Sequence, residues 1–423
     1  MHRRSFFLKL PLAAALSESF LSSARAERSG GDYFPPADEQ GGWRAALDRD
    51  SASKKAGMDT AALDAAFEYT KQTSRFGGLL VARRGYLVYE KYFGRATRET
   101  TPNLYSIGKA FTSASMGILM EQKPAFFPDG LSQKVFTKKY LPAAFPLDDE
   151  RKSRIELGQL LTMTSGMADE FARQGIVNGR DVKIEGLRPV DRKLGQDESA
   201  VRTPLWTDPG AGYCYCTQGV HVISMLVRQG AGMEMEQYIE RQIASPLGFG
   251  GWGYAHKGLG GEHLPHTPGG FGIALRATDA LRFAYLLLKN GRWNNRQVIP
   301  AAYLNFARKP SPFNPHAPFS FQFEVNQDGH VAGAPQDTFF KSGAGGHCVY
   351  AVPSLDLAVY KMSSLGDTGP DTYDLGFSRK KAQGDSSRDN WKPHTPDQFH
   401  DGPIEGDAGT RRTLEMVVAA IRD

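Results

Sequence analysis

Ser106 and Lys109 stand three residues apart at the head of the run LYSIGKAFTSASMGILM. On a helix that spacing puts an amine one turn from a hydroxyl, on the same face. A serine hydroxyl is a weak nucleophile near neutral pH, and a neighbouring base that takes its proton is the usual remedy. The pair therefore has the chemistry of a self-acylating serine. Taken alone, Ser-x-x-Lys also fits a helix N-cap followed by a solvated lysine. The residues that follow bear on the choice. Gly108, Ala110, Ser113, Ala114, Ser115 and Gly117 are small on every side of the helix, which predicts close packing all round. Lys109 would then be at least partly desolvated, and desolvation favours the neutral amine that can act as a base.

The elements that must position this pair are legible in outline. Met58 to Ser74 reads as a helix with Leu63, Ala66, Phe67 and Thr70 on one face, and Gly78–Arg83 and Tyr86–Phe93 read as a hairpin turning at Arg84-Gly85. Helical patterns follow at 156–164, 217–229 and 234–243, broken by Gly166, Gly230 and Pro246-Leu247-Gly248. A helix is expected from Thr278, as N-cap, to Asn290. Strand patterns return at 320–325, 338–342, 347–352 and 357–362. A polar stretch from about 366 to 409 reads as a surface loop, and Thr410 to Arg422 as a closing amphipathic helix. Strands at both ends with helices between predict an α+β fold: an antiparallel sheet built from the N- and C-terminal segments, flanked by helices, with a mainly helical domain inserted. The expected division is a signal peptide over 1–26, a linker over 27–57, a sheet domain of 58–104 with 250–423, and a helical domain over 105–249.

The chain has 423 residues, 40% hydrophobic and 23% charged, an ordinary globular composition. Its net charge is +5, of which the first 26 residues hold +3. No long Lys/Arg run or aromatic-basic interleaving is present, so nucleic acid is not an expected partner. Arg3-Arg4-Ser5-Phe6-Phe7-Leu8-Lys9 looks like a twin-arginine signal, with a short apolar stretch and then Ala24-Arg25-Ala26 as a small-x-small cleavage site. Export by the twin-arginine machinery to the periplasm or beyond is expected, without stable membrane insertion. Cys214, Cys216 and Cys348 are an odd number, against a complete disulfide framework, and read as small buried thiols rather than a metal site. Gly-x-Ser-x-Gly, His-Glu-x-x-His, phosphate-loop and dinucleotide patterns are all missing from the sequence.

Three ordered motifs carry a family resemblance. Leu104-Tyr105 precedes Ser106-Ile107-Gly108-Lys109; Pro209-Gly210 leads through Tyr213 to Tyr215-Cys216-Thr217; and Lys341-Ser342-Gly343-Ala344 lies on a late strand. Leu160-Leu161-Thr162-Met163-Thr164-Ser165-Gly166, Pro246-Leu247-Gly248 and Gly269-Gly270-Phe271-Gly272 fall between them in order. The chain resembles the serine β-lactamase-like family of class C β-lactamases, D,D-peptidases and related esterases, over roughly residues 58–365 plus the last helix. The resemblance implies a β-lactamase/transpeptidase-like fold and a serine hydrolase with no cofactor and no metal. It implies Ser106 as nucleophile, Lys109 and Tyr215 as a shared proton relay, and Lys341, Ser342, Gly343 and Ala344 lining the substrate strand. The backbone N–H groups of Ser106 and Ala344 would hold the oxyanion. Thr217 stands where the family has Asn. It keeps a donor but loses the amide's paired donor and acceptor, which weakens an antibiotic-hydrolase reading more than an esterase one.

Alternatives remain at single residues. Tyr215 could be a packed core tyrosine, Lys341 a surface cation on an edge strand, and His347 a structural strand-end histidine. Trp206 and the segment 168–203 could form a substrate-facing lid or a solvated insertion. The expected function is hydrolysis of a small ester, amide or peptide substrate through an acyl-enzyme on Ser106. A β-lactamase or D,D-carboxypeptidase acting on peptidoglycan-like substrates is the alternative, and a non-catalytic penicillin-binding-like protein the second.

Overall fold

The computed structural model describes residues 32–363 and 406–422, apart from 75, 95, 170, 171, 192, 193 and 256–263. The expected signal peptide and most of the polar stretch 366–409 lie outside these residues. A seven-stranded sheet runs in the order Tyr86–Phe93, Gly77–Arg83, Leu357–Met362, His347–Val352, Phe339–Gly343, Phe323–Val325, Phe319–Ser320. Every neighbouring pair is antiparallel. The first hairpin joins the C-terminal strands through Gly77–Arg83 against Leu357–Met362, so both ends of the chain build one sheet. This is the expected α+β architecture.

Both faces of the sheet are covered, which is why its central strands are almost continuously apolar. Leu79, Val81, Val359 and Tyr350 face the helices Thr60–Gln72 and Gly406–Ala419 through Leu63, Phe67, Leu414 and Val417. Leu80, Ala82, Ala358 and Tyr360 face the other way, into a core shared with the helix Ala277–Leu288 and the helical region. The two-residue period of a strand sends adjacent apolar residues to opposite cores.

The helix Thr60–Gln72 forms as its pattern predicts: Asp59 caps it by accepting from the Ala61 and Ala62 amides, and Leu63, Ala66, Phe67 and Thr70 are its buried face. The helix Gly108–Gln122 buries every residue from Gly108 to Met120, the all-round packing its small residues predict. The stretch expected as helix over 234–243 is Met235–Ile239 followed by one wide π turn, Glu240–Ala244.

Two expectations are corrected. The described part of 27–57 is not a linker. The Ala46 amide donates to the Leu87 carbonyl and the Leu87 amide to the Arg44 carbonyl along the outer strand, the Arg44 side chain lies between the rings of Tyr33 and Tyr86, and Trp43, 5% exposed, packs edge-on against Tyr285. Thr278 is not the N-cap of its helix. That helix starts at Ala277, and the Thr278 hydroxyl donates to Asp38 at 2.6 Å. Asp38 also takes Arg282 at 2.6 Å, while Asp279 pairs with both Arg276 and Arg282. Buried arginines need such partners, and the N-terminal segment supplies one of them. One open alternative also closes: Phe339–Gly343 is an interior strand, so Lys341 is not an edge-strand surface cation. Among the described residues no helix is long and apolar enough to cross a membrane.

Candidate active site

Ser106 lies on a single 3₁₀ turn, Tyr105–Ile107, immediately ahead of the helix Gly108–Gln122. The turn is held from both sides. The Leu104 amide donates to the Ile273 carbonyl at 2.8 Å, and the Tyr105 amide to the Asn103 side chain at 2.8 Å. Tyr105 has φ +47°, an unfavourable conformation for a bulky residue that surrounding contacts must enforce. One such contact is with the late strand. A Cβ on Gly343 would stand 2.2 Å from the Leu104 carbonyl oxygen, so glycine here lets the strand press against the serine's turn.

Lys109 is fully buried, and its Nζ donates to Ser106 Oγ at 3.1 Å and to the Gly270 carbonyl at 2.5 Å. Burial lowers its pKa from the ordinary lysine value, and the charge of Lys341 pushes the same way against the opposing pull of Tyr215. Gly270 owes its place to Thr217. A Cβ there would come within 2.4 Å of the Thr217 Cγ2 methyl. The threonine that replaces the family's Asn thus packs on the loop that grips Lys109.

Tyr215 sits just ahead of the helix Thr217–Ala231 and is 36% exposed. Lys109 Nζ lies 4.9 Å and Lys341 Nζ 5.3 Å from its ring centroid, and Phe319 meets it edge-on at 6.3 Å. Enclosure of the phenol opposes its ionisation. The two ammonium groups, with hydrogen bonds to Ser106 and Lys109, outweigh that and bring its pKa below that of an ordinary tyrosine. Lys341 is buried, yet its pKa is raised, because Tyr215 and Glu324 overcome the cost of burial. The structure thus brings Ser106, Lys109, Tyr215 and Lys341 together. Ser342 and Gly343 follow Lys341 on the strand, and Ala344 opens the short turn after it, exposed.

Three residues belong to this neighbourhood that sequence reasoning passed over. Glu324, on the next strand, accepts from Lys341 Nζ, Ser342 Oγ and the Ser342 amide. A lone acid between buried Phe323 and Val325 was the available signal. Asp169 accepts from the Thr217 amide at 3.0 Å, and its charge reaches Lys109. His221, buried on the helix Thr217–Ala231, receives the Gly269 amide on Nδ1 at 3.3 Å. An amide can only donate, so the proton of neutral His221 stands on Nε2, facing Asp197 at 3.0 Å. Asp197, His221, Gly269–Gly270 and Lys109 therefore form a continuous hydrogen-bonded line. His221→Leu is expected to lower kcat on the order of tenfold to a hundredfold by loosening the grip on Lys109. His221→Asn, which returns an acceptor near the Nδ1 position, is expected to recover most of that loss. Steady-state rates on the two folded variants check it, and equal impairment would refute the acceptor role.

His347 is buried, with Nδ1 taking the Ser363 amide at 3.2 Å and lying 3.3 Å from the Tyr360 hydroxyl, a structural strand-end position. The segment 168–203 contributes the hairpin Gln174–Val177 and Arg180–Lys183, which is tied to Tyr213 by two 2.8 Å backbone bonds through Ile176, with Trp206 packed beside it. Cys214, Cys216 and Cys348 are buried, unpaired thiols. Cys216 Sγ accepts from the Gly219 amide and caps its helix, and burial raises the Cys214 thiol to about 12.

A family model described as Beta-lactamase matches residues 63–383, most of the chain. Among solved structures, a putative beta-lactamase from Bacteroides dorei superposes with a TM-score of 0.59 at 17% identity, covering 86% of this chain and 99% of that one. EstCE1, a hydrolase with promiscuous acyltransferase activity, superposes with a TM-score of 0.56 at 18% identity, covering 72% and 93%. At such identities the likeness is one of fold. Among curated proteins, the acyltransferase mokF of Monascus pilosus is 28% identical over 209 residues, 44% of this chain and 49% of that one. The chain thus spans about half the length of that relative.

Proposed function

The chain belongs to the beta-lactamase family, and from that premise we propose that it is an exported serine hydrolase that cleaves small esters or amides through an acyl-enzyme on Ser106. The observation that carries this reading is the convergence on one hydroxyl. Lys109 Nζ lies 3.1 Å from Ser106 Oγ, while the Tyr215 phenol, hydrogen-bonded to the same serine, is made more acidic by two lysines. In the ionised state Tyr215 takes the Ser106 proton as Oγ attacks the substrate carbonyl. The Ser106 and Ala344 amides are the proposed donors to the resulting oxyanion. Collapse expels the leaving group, which takes the proton back from Tyr215, and leaves the acyl group on Oγ. Water then attacks the ester, giving its proton to Tyr215, and collapse releases the acid as Ser106 Oγ leaves and takes that proton back from Tyr215. Lys109 stays beside both oxygens throughout and carries the charge that holds the phenolate. Residues 1–26 are proposed to direct export and to be removed after Ala26.

The name of the mokF relative supports a second reading of the same site, transfer of the acyl group to an alcohol instead of water. Both readings are tested by offering p-nitrophenyl butyrate and a fluorescent penicillin to the purified protein, with and without a short alcohol. Turnover of the ester is expected, with slow or no penicillin hydrolysis. A butyrate ester of the alcohol among the products would establish transfer. Fast penicillin hydrolysis would replace this reading with a β-lactamase, and stable penicillin labelling without turnover of either would make the protein a binder.

A further inference from the structure

We propose that Glu324 is a specificity-determining residue: a built-in anion that keeps carboxylate-bearing substrates out of the cleft and selects neutral acyl groups. This rests on the hydrolase reading above and narrows its substrate class. The observation is the convergence of donors on one oxygen. Glu324 Oε1 receives Lys341 Nζ at 3.1 Å, Ser342 Oγ at 2.7 Å and the Ser342 amide at 3.2 Å. These are a cation, a hydroxyl and a backbone N–H on the strand that leads to Gly343 and the serine's turn. They are the set of donors that would otherwise greet an anionic group beside Ser106.

The cross-strand geometry explains the arrangement. Phe323–Val325 pairs with the late strand at Glu324–Phe340 and Val325–Phe339 and ends there. Ser342 lies beyond the last pair, so its amide has no backbone partner on that side, and the Glu324 side chain reaches along to take it. The Glu324 side chain is 18% exposed, so its charge stays near the surface beside Lys341. It is held ionised: burial opposes this, but Lys341 and Ser342 outweigh the burial. An incoming carboxylate therefore meets donors already committed and a fixed like charge, both of which disfavour it. A neutral acyl chain meets neither cost, and the exposed face of the Tyr215 ring offers it an uncharged surface.

The test compares p-nitrophenyl butyrate with p-nitrophenyl hydrogen succinate, which differ chiefly by the terminal carboxylate. The wild type is expected to favour the neutral ester by about a hundredfold or more in kcat/KM, in the range a mismatched polar contact produces. In Glu324→Gln, close in shape and uncharged, that ratio is expected to fall about tenfold or more, whatever happens to the absolute rates. Equal use of the two esters by the wild type would overturn the proposal. So would an unchanged ratio in a folded Glu324→Gln protein. If that variant does not fold, the wild-type ratio still decides. If neither ester is turned over, the hydrolase reading falls separately, and calorimetric binding of methyl butyrate against monomethyl succinate reads the same discrimination.

Discussion

Ser106→Ala is expected to remove turnover of p-nitrophenyl butyrate by roughly 10³- to 10⁶-fold, with the fold unchanged. The scale is that of deleting a nucleophile whose partners have no other role to play once it is gone. The physical reason is local. Ser106 Oγ is the atom on which Lys109 and Tyr215 converge, and alanine leaves both with nothing to deprotonate. The variant should fold well, since the turn is held by backbone bonds from Leu104 and Tyr105 and not by the serine hydroxyl. Two measurements decide it: initial rates on the ester, and the intact mass after treatment with a fluorophosphonate. The wild type should gain one adduct and the variant none. Ester turnover that survives the substitution would end the acyl-enzyme reading.

Tyr215→Phe is expected to lower kcat by about 10²- to 10⁴-fold, the usual worth of a positioned general base. The residual rate would come from Lys109, whose pKa burial already lowers. The pH dependence gives a sharper outcome. A general base works when deprotonated, so kcat/KM should rise with pH as the Tyr215 phenol ionises. That ascending limb should lie below the range of an ordinary tyrosine, because Lys109 and Lys341 together overcome the burial that opposes ionisation. Lys341→Met removes one of those charges and should move the limb to higher pH. Glu324→Gln, which leaves Lys341 without its carboxylate, should move it to lower pH. Limbs that stay put in both variants, each confirmed folded by its thermal transition, would remove Tyr215 from the base role. The opposite signs matter here, because general damage to the site would not produce them.

Much of this protein was legible before folding. The three-residue spacing set Ser106 and Lys109 on one turn, and the small residues after them announced a helix buried all round. Runs rich in β-branched, aliphatic and aromatic residues marked the strands Gly77–Arg83, His347–Val352 and Leu357–Met362, and the order of three motifs supplied the candidate residues. These are short-range properties: a helical face or a strand's two sides follow from neighbours a few positions apart. Tertiary structure decided the rest. The linker expected over 27–57 became a packed segment because Asp38 is needed by Thr278 and Arg282, some 240 positions away. Lys109 is gripped by Gly270, which Thr217 and, through Gly269, His221 hold in place, so two distant stretches set one amine. The lone acid Glu324 stood out between Phe323 and Val325, but its role did not, because its partners, Lys341 and Ser342, meet it across strands whose register no local pattern states. The sequence by itself determined which residues could carry the chemistry. The packing of remote segments decided how each is charged, because a pKa depends on what lies within a few ångströms in space, and those neighbours come from all along the chain.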